Sequence, residues 1–407
     1  MHILLIHQAF AALDEAGGTR HYELACRLVE HGHRVTIITS PVSYLSGKSR
    51  SVKSHWKEEE SPQPGINILR AYTYRALHKS FVHRVFSFFS FMFSSFLTGL
   101  GVKNVDLVWG TSPPIFQGVT AWLLARLKRV PFLFEIRDLW PAFAIAVGVL
   151  KNRTLIALSE WLEKFLYHRA DQMIVNSPGY LAYVRQRGGR NVQLIPNGAD
   201  PDMFLPDSDG LTMRKKWGLE GKFIILYAGA HGISNDLEVV IRAAANLQDH
   251  PSIQFVFVGD GKEKSNLQAY AAQNQVNNIT WVAPVPKNQM SDVLAAADAC
   301  IAILKPIEMY KTTYPNKVFD YMAASRPVLL VIDGVIREVV EAAKGGIFVP
   351  PGDAEALSLA SLYLAEHPAE AHQMGKNGRD YVSEHFNRAR LAEDLVHLLE
   401  DLRRKHA

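Results

Sequence analysis

Cysteine is scarce in this sequence of 407 residues, and the residue patterns that identify metal sites are missing. The two cysteines, Cys26 and Cys300, belong to no Cys-x-x-Cys pair, so neither a zinc site nor a disulfide framework is indicated and a reducing compartment is expected. The formal net charge is only +4 and no block of lysine and arginine dominates, which argues against nucleic acid as a partner. No Gly-x-Gly-x-x-Gly turn follows the first apolar run, which disfavours a nicotinamide-dependent oxidoreductase.

Short apolar runs alternate with amphipathic stretches along the whole chain, which is typical of βαβ units and parallel sheets. The first run, His2–His7, has no basic segment before it, so we interpret it as a strand and not as a signal peptide. Helices are predicted between the runs, for example at Thr19–His31 and Leu155–Arg169. The remaining predicted strands are Val35–Thr39, Ile66–Ala71, Val105–Gly110, Phe132–Ile136, Met173–Asn176, Val192–Ile195, Phe223–Gly229, Ile253–Val258, Asn278–Val282, Ala299–Leu304, Pro327–Val331 and Gly346–Val349.

The chain divides into two α/β halves of about 200 residues each, a common domain size. The turn-forming stretch Ile195–Pro201 separates them. We predict an N-terminal domain over residues 1–197, a C-terminal domain over residues 198–383 and a charged terminal helix over residues 384–407. The polar segment Ser43–Gln63 is predicted to be a long exposed loop, either disordered or part of a binding rim.

An aromatic-basic segment at residues 78–100 overlaps the uncharged run Val85–Val102, which is borderline for a membrane span by length. Its polar residues recur at helical spacing and its aromatic residues lie on the opposite face; the two sets are Ser87, Ser90, Ser94 and Thr98 against Phe86, Phe89, Phe93 and Leu97. Predicted strands on both sides of the segment argue against a span. Two interpretations stay open. One is a buried helix. The other is an interfacial helix that holds a cytoplasmic protein on the inner face of the plasma membrane, with His78, Lys79, His83 and Arg84 beside the lipid.

Two motifs of the first half follow predicted strands, at the sheet edge where open α/β folds bind ligands. Gly17 and Gly18 precede the first predicted helix, where glycine permits a close backbone approach and a helix start favours phosphate. The alternative is an ordinary strand–helix loop. Arg137 and Asp138 lie beside Trp140 at the end of another strand, and charges packed there need partners or a function. The alternative is a structural ion pair of Arg137 with a neighbouring carboxylate.

Two motifs of the second half carry lysines. Lys262 follows Gly259-Asp260-Gly261 at a predicted helix start, where it can neutralise a phosphate; a solvated helix start is the alternative. A second helix is predicted to begin near Asn316, with Lys317 in its first turn. Lys317 and Asp320 are three residues apart and lie on one helix face, so they can reach a diphosphate and a ribose together. The alternative is a surface ion pair between them.

Together these motifs resemble glycosyltransferase family 4, the retaining GT-B enzymes, and within it the bacterial surface-polysaccharide branch of fucosamine-transferase-like proteins. The matching blocks run in family order and cover nearly the whole chain: Gly17–Ala25, Gly32–Thr36, Thr111–Pro114, Arg137–Pro141, Ile195–Asp200, Gly259–Lys262 and Pro315–Ala323. The resemblance implies an α/β GT-B fold with two facing Rossmann-like domains, parallel sheets and an interdomain cleft. It also implies that the last helix crosses back to the N-terminal domain.

The resemblance further implies roles for individual residues. Asp320 would bind the ribose of a nucleotide sugar, and Lys317 and Lys262 would bind its diphosphate. The predicted donor-binding residues are Gly17, Gly18, His231, Gly232, Lys262, Asn316, Lys317 and Asp320, and the predicted catalytic residues are Asp138, Arg137 and Lys317. Basic side chains and helix N-termini neutralise the leaving diphosphate in this family, so no metal and no cofactor are expected.

The implied reaction moves a sugar, with retention, from a UDP-sugar to a lipid-linked saccharide; an N-acetylated amino sugar is the expected donor sugar. Three departures from the family pattern keep alternatives open. Thr312 stands in place of a glutamate, Asn235 and Asp236 stand where an Arg and Lys pair is usual, and no histidine lies near Arg137. The alternatives are a GT-B sugar-nucleotide 2-epimerase and a non-catalytic donor-binding subunit of a polysaccharide complex.

Overall fold

The computed structural model describes residues 1–43, 47, 49–50, 55–75, 81–204 and 210–406. It contains two compact units. The N-terminal unit comprises Met1–Ala12, Gly17–Pro196 and Ala389–Ala407, and the C-terminal unit comprises Leu13–Ala16 and Asn197–Arg388. Each unit is an α/β sandwich around a sheet, which confirms the predicted fold class.

The N-terminal unit contains an eight-stranded sheet in the order β3-β4-β2-β1-β5-β6-β7-β8, parallel except for the edge strand β3. Its strands are β1 (His2–Ile6), β2 (Arg34–Thr39), β3 (Lys57–Gln63), β4 (Ile66–Ala71), β5 (Leu107–Ser112), β6 (Phe132–Ile136), β7 (Gln172–Val175) and β8 (Val192–Leu194). Its helices are α1 (Arg20–Glu30), α2 (Phe81–Leu100), α3 (Phe116–Lys128), α4 (Ala142–Ala146), α5 (Arg153–Arg169) and α6 (Tyr180–Gln186). The chain reverses its direction of strand addition between β1 and β5, which makes their carboxyl ends a topological switch point.

The C-terminal unit contains a fully parallel six-stranded sheet in the order β11-β10-β9-β12-β13-β14. Its strands are β9 (Phe223–Ala228), β10 (Ile253–Val258), β11 (Ile279–Val282), β12 (Ala299–Ile303), β13 (Val328–Val331) and β14 (Gly346–Phe348). Its helices are α7 (Leu211–Trp217), α8 (Leu237–Asn246), α9 (Lys264–Gln273), α10 (Met290–Ala295), α11 (Asn316–Ala323), α12 (Val335–Ala342), α13 (Ala354–Glu366) and α14 (Pro368–His385). This is the dinucleotide-fold order 3-2-1-4-5-6, with the switch point between β9 and β12.

The polar segment before β4 is not entirely a loop, so that part of the Ser43–Gln63 prediction is wrong. Lys57–Gln63 forms β3, which pairs antiparallel with β4. The buried guanidinium of Arg70 explains the pairing, because its Nε donates to Glu60 across the two strands at 2.7 Å. Charged side chains are also common on edge strands, where they oppose aggregation. Residues 44–46, 48 and 51–54 of the predicted loop lie outside the described residues.

Helix α2 confirms the predicted division into two faces, but its orientation is the reverse of an ordinary surface helix. The serine face points into the unit, where Ser87, Ser94 and Ser95 are fully buried. Backbone carbonyls accept hydrogen bonds from some of these hydroxyls. Ser94 Oγ, for example, donates to the Tyr72 carbonyl at 2.5 Å. The exposed face is apolar and consists of Val82, Phe86, Phe89, Phe93, Leu97 and Leu100.

Within the part of the chain that the structure describes, no helix has both the length and the hydrophobicity of a membrane span. Residues 78–80 of the predicted interfacial segment lie outside that part.

The end of the chain is helical, as predicted, but it forms two helices. Helix α14 ends at His385, and a further helix, α15 (Arg388–Arg404), follows it. Residues from Ala389 onward group with the N-terminal unit. There Arg403 approaches Asp106 at 3.6 Å and Glu400 approaches His33 at 3.8 Å.

Candidate functional site: a cationic switch point and a buried acidic network

The loops after β9 and β10 meet backbone to backbone at the switch point of the C-terminal unit. The His231 amide donates to the Asp260 carbonyl at 2.8 Å, and the Glu263 amide donates to the His231 carbonyl at 3.0 Å. Glycine is required where the loops cross, because a Cβ on Gly259 would lie 2.0 Å from the carbonyl oxygen of Gly229, and Gly259 has φ +149°. The loops therefore form a tight, glycine-lined floor.

Lys317 reaches this floor from helix α11, which begins at Asn316 as predicted. Its ammonium donates to the Tyr227 hydroxyl at 2.9 Å and lies 4.0 Å from the centroid of the Tyr227 ring. Among the described residues no carboxylate pairs with Lys317, and loss of water around the ammonium lowers its pKa to about 7. A Cβ on Gly229 would lie 2.8 Å from this nitrogen. Tyr227 therefore holds the lysine in place, and no opposing charge within the described part of the chain neutralises it.

His231 lies beside the lysine and is fully buried. Neither ring nitrogen has a hydrogen-bond partner among the described residues. Burial, and then the positive charges of Lys264 and Lys317, lower its pKa to about 4, so the imidazole is neutral at pH 7. Tyr227, at 6.0 Å between ring centroids, and Trp281, at 5.9 Å, form its apolar surroundings. An imidazole with two unused nitrogens is well suited to meet polar groups of a ligand.

The carboxylate of Asp320 forms an ion pair with a lysine other than Lys317. The Lys287 ammonium lies 2.7 Å from its carboxylate, and the Asn316 amide donates to it at 3.2 Å. The buried guanidinium of Arg388 donates to the Asn316 side-chain oxygen at 3.0 Å. The alternative interpretation, a surface ion pair between Lys317 and Asp320, is therefore wrong, because each side chain has a different partner.

The other predicted donor-binding residues of this unit lie on the same loops. Lys262 is exposed and precedes α9, whose first residue, Lys264, donates to the Gly259 carbonyl at 2.8 Å. Gly232 follows His231 and begins a short 3₁₀ turn. Sequence reasoning missed Tyr227, Lys287 and Arg388, since each enters the site from a distant segment and carries no local motif.

The N-terminal unit places a buried acidic network at the carboxyl ends of β1 and β6. The Glu135 carboxylate receives a hydrogen bond from Arg20 Nε at 3.0 Å and contacts His21 Nε2 at 2.6 Å. Burial alone would raise the pKa of Glu135, but His21, Arg20 and Arg137 outweigh it and hold that pKa well below its usual range. Arg20 also donates to the Ile195 carbonyl at 2.7 Å. This network ties the first helix to the sheet.

His7 follows β1 directly and packs on the network. It is fully buried, its ring lies 4.3 Å from that of His21, and neither of its nitrogens has a partner among the described residues. Burial, and then Arg137 and His21, lower the pKa of His7 well below its usual value. Sequence reasoning missed His7 and His21, which are separated by fourteen positions and from Glu135 by over a hundred.

The predicted catalytic pair lies next to this network. Arg137 donates to the Pro113 carbonyl at 2.7 Å. Burial raises the pKa of Asp138 to about 6, against the opposing charge of Arg137. The carboxylate of Asp138 has no ion pair among the described residues. The charge of Arg137 also acts on the buried carboxylate of Glu135, so the alternative of a structural pair with a neighbouring carboxylate stays open for Glu135.

The predicted glycine turn before α1 is exposed. A Cβ on Gly18 would meet no atom within 4 Å, whereas one on Gly17 would meet Ala11 at 2.9 Å. Thr19 begins the helix without a side-chain cap, and its hydroxyl donates to Glu23 at 2.5 Å. The backbone at Gly18 is therefore open to approach from outside.

Comparison with known proteins agrees with this architecture. Residues 16–198 match the family described as a glycosyl transferase 4-like domain, and residues 211–381 match the family described as glycosyl transferases group 1. WcaI of Escherichia coli (strain K12), whose name assigns it to colanic acid biosynthesis, is 24% identical over 369 residues, which cover 87% of this chain and 90% of WcaI.

Solved structures show the same fold. Sucrose-phosphate synthase from Thermosynechococcus elongatus matches with a TM-score of 0.78 at 22% identity and covers 98% of each chain. HepE from Anabaena, in complex with UDP and glucose, matches with a TM-score of 0.73 at 16% identity and covers 98% of this chain and 100% of HepE. With a glycosyl transferase 4-like domain followed by a glycosyl transferases group 1 domain, this chain is a member of the GT-B glycosyltransferases.

Proposed function

We propose that this protein is a retaining, metal-independent glycosyltransferase of surface-polysaccharide biosynthesis. It moves a sugar, expected to be an N-acetylated amino sugar, from a UDP-sugar to a lipid-linked saccharide at the inner face of the plasma membrane. Similarity to WcaI supports the class of polymer. Similarity to HepE, solved with UDP and glucose, supports the uridine nucleotide.

The observation that carries the proposal is the Lys317 ammonium at the switch point of the C-terminal unit, which has no carboxylate partner within the described part of the chain. Desolvation lowers its pKa to about 7, and Tyr227 fixes its position at 2.9 Å. Such a site gains most from an anion, because a bound phosphate restores the charged form of the lysine. We assign the diphosphate of the donor to Lys317, with Lys262 and the amide groups at the start of α9 as further ligands.

Catalysis then consists mainly of stabilising charge that develops on the leaving diphosphate. Fixed cations in a site with little water stabilise that charge without reorganisation. We favour a same-face route, in which the leaving phosphate removes the proton of the acceptor hydroxyl. Asp138, whose pKa is about 6, is mostly ionised at neutral pH and is our assignment for orienting the acceptor hydroxyl or the reacting sugar.

A lipid-linked acceptor requires the protein to work at a membrane, and helix α2 provides a contact. Its exposed apolar side chains repeat at intervals of three and four residues, from Val82 to Leu100. This pattern is typical of helices that lie in the interface of a bilayer. The buried serines of the opposite face leave the aromatic side chains available for lipid.

Calorimetric titration with UDP tests the donor site. Lys317→Met is expected to weaken UDP binding at least about tenfold, or about 1.4 kcal/mol, because it removes the cation and keeps the packing. Lys376→Met, at an exposed lysine on α14, is the matched control and should bind UDP like the wild type. Equal affinities of the Lys317→Met and wild-type proteins would remove Lys317 from the diphosphate site.

Turnover is tested by mass spectrometry after incubation with a mixed panel of nucleotide sugars and a membrane lipid extract. The proposal predicts consumption of one UDP-sugar only when the extract is present, with the sugar recovered on a lipid. Conversion of the donor without the extract would indicate an epimerase. UDP binding without any turnover would indicate a donor-binding subunit, and either result would contradict the proposal.

A further inference from the structure

Three helices of the N-terminal unit lie side by side, with α3 between α2 and α5. Thr120 of α3 donates to the Met92 carbonyl of α2 at 3.1 Å, and Lys128 donates to the Val102 carbonyl at 2.6 Å. On the other side, the rings of Trp122 and Phe165 of α5 are 4.9 Å apart. The three helices therefore present one continuous outer surface, which we call the helical face.

The helical face is apolar well beyond α2. Leu127 of α3 is 61% exposed and Trp161 of α5 is 62% exposed. Leu123 lies one turn before Leu127, and Leu158 lies almost one turn before Trp161, so each helix directs an apolar stripe outward. Single exposed apolar residues are ordinary, but a contiguous patch of this kind marks a surface for docking.

Positive charge surrounds the apolar stripes. Helices α2 and α3 contain no Asp or Glu. Residues 81–169 carry ten Lys and Arg against five Asp and Glu, an excess of five, whereas the whole chain has a net charge of +4. The positive excess of the protein is thus concentrated here. The exposed basic residues of α3 and α5, and of the residues next to their ends, are Arg126, Arg129, Lys151, Arg153, Lys164 and Arg169.

The acidic residues of α5 do not offset this charge. Glu163 is buried and lies 3.2 Å from Arg187. Glu160 lies 3.7 Å from the same guanidinium. Both carboxylates therefore point toward α6 and the residues after it. The basic residues on the outward side of α5 therefore do not pair with these two acids. A surface that combines apolar and basic groups fits the acyl and phosphate layers of a bilayer.

We propose that the whole helical face, and not α2 alone, docks onto a bilayer rich in anionic lipid. The inference deepens the proposed function, on which it rests, by naming anionic lipid as the partner. Leucine and aromatic side chains enter the boundary between headgroups and acyl chains, and the arginines and lysines contact lipid phosphates. A second copy of the chain is a poorer occupant, because it would bring the same excess of positive charge.

Co-sedimentation of the full chain with vesicles tests the apolar part of the proposal. Binding is expected to be at least about fivefold tighter to phosphatidylglycerol-containing vesicles than to pure phosphatidylcholine, given the typical gain per basic residue at an anionic surface. Leu127→Glu and Trp161→Glu should each weaken binding at least about fivefold. Leu359→Glu on α13, where the leucine is 62% exposed, is the matched control and should bind vesicles like the wild type.

A double charge reversal tests the basic part. Arg126→Glu with Lys164→Glu should remove the preference for anionic vesicles, whereas Lys215→Glu with Lys216→Glu on α7 should keep it. Equal binding of the wild type to both kinds of vesicle, or unchanged binding of the face variants, would overturn the proposal. A change in oligomeric mass that light scattering detects only in the face variants would also overturn the proposal. It would indicate that a second copy of the chain, and not lipid, covers the helical face.

UDP titration of the same variants separates this inference from the proposed function. Face variants that fold should bind UDP like the wild type, which also shows that loss of vesicle binding does not reflect misfolding. Failure of vesicle binding with intact UDP binding refutes only the membrane inference. Failure of the wild type to bind UDP refutes the donor site and leaves vesicle binding as an independent result.

Discussion

The two units have related sheets but carry different chemistry at the edge where ligands bind. Each buries a histidine whose ring nitrogens have no hydrogen-bond partner among the described residues, His7 after β1 and His231 after β9. Around His7 the charges are matched, since Glu135 contacts both an arginine and a histidine. Around His231 they are not, since Lys317 faces a tyrosine and no carboxylate among the described residues.

This difference distinguishes buried charges that stabilise the fold from buried charges that bind a ligand. A buried network with internal partners stabilises its own unit, whereas a desolvated cation without an anion is a site for one. The fold alone does not distinguish the two cases, because a Rossmann-like sheet supports many functions. The distinction predicts that equivalent changes in the two units affect different properties: stability in the N-terminal unit and ligand affinity in the C-terminal unit.

The largest expected effect is on stability, from Glu135→Ala. Removing this carboxylate leaves Arg20 and His21 buried without their anion, which typically costs about 3–5 kcal/mol. Thermal unfolding together with hydrogen exchange should show the loss in the N-terminal unit. Glu341→Ala, which breaks an exposed pair with Arg337, is the control and should cost less than about 1 kcal/mol. A similarly small loss for Glu135→Ala would mean that the network is not a structural one.

A pair of glycine substitutions gives an intermediate effect. Gly259→Ala should destabilise the C-terminal unit by about 1–3 kcal/mol, because the new Cβ meets the Gly229 carbonyl. Gly18→Ala should change stability by less than about 0.5 kcal/mol, because the position is open. If the backbone at Gly18 approaches the donor, Gly18→Ala should nevertheless reduce turnover. Unchanged turnover would remove Gly18 from the predicted donor site, and both quantities are measurable on the same preparations.

The smallest effect is a pH dependence of UDP affinity. Lys317 has a pKa of about 7 in the free protein, and bound phosphate raises that pKa, so binding takes up a proton above neutrality. Affinity should therefore fall as the pH rises above 7, by at most about tenfold per unit, and Lys317 should contribute little dependence below 7. Calorimetry in buffers of different ionisation enthalpy measures the proton uptake. Lys317→Met should show no uptake from this site; an unchanged uptake would assign the proton elsewhere.

Most of the fold was predictable because buried parallel strands appear in sequence as continuous apolar runs. Three strands, Ile66–Ala71, Phe132–Ile136 and Ile253–Val258, have the predicted ends. Strand β3 was not predictable from hydrophobicity, since its residues are polar and its pairing depends on Arg70, which is buried against it. Helix α2 was predictable as a helix with two faces. The sequence did not predict which face would be buried, because the pattern alone does not show that serine hydroxyls donate to backbone carbonyls inside the unit.

The site was predictable only where a motif is local. Lys317 lies in the first turn of a helix whose start the sequence indicates, so its position was foreseen. Its contact with Tyr227, and the pairing of Asp320 with Lys287, join segments that are distant in the chain. No spacing rule links such residues. His231 was predicted to bind the donor and His7 was not foreseen. The unpartnered ring nitrogens of both residues were not predictable, because a missing hydrogen-bond partner is a property of three-dimensional packing.

The lowered pKa of Lys317 has a chemical consequence separate from charge. An amine with a pKa of about 7 is roughly half unprotonated at neutral pH, whereas an ordinary lysine holds a free electron pair in only about one molecule in a thousand or fewer. Acylating reagents attack the unprotonated form. Brief treatment with such a reagent near neutrality should therefore mark this one side chain before the surface lysines, and peptide mapping would follow its protection by nucleotide without any substitution.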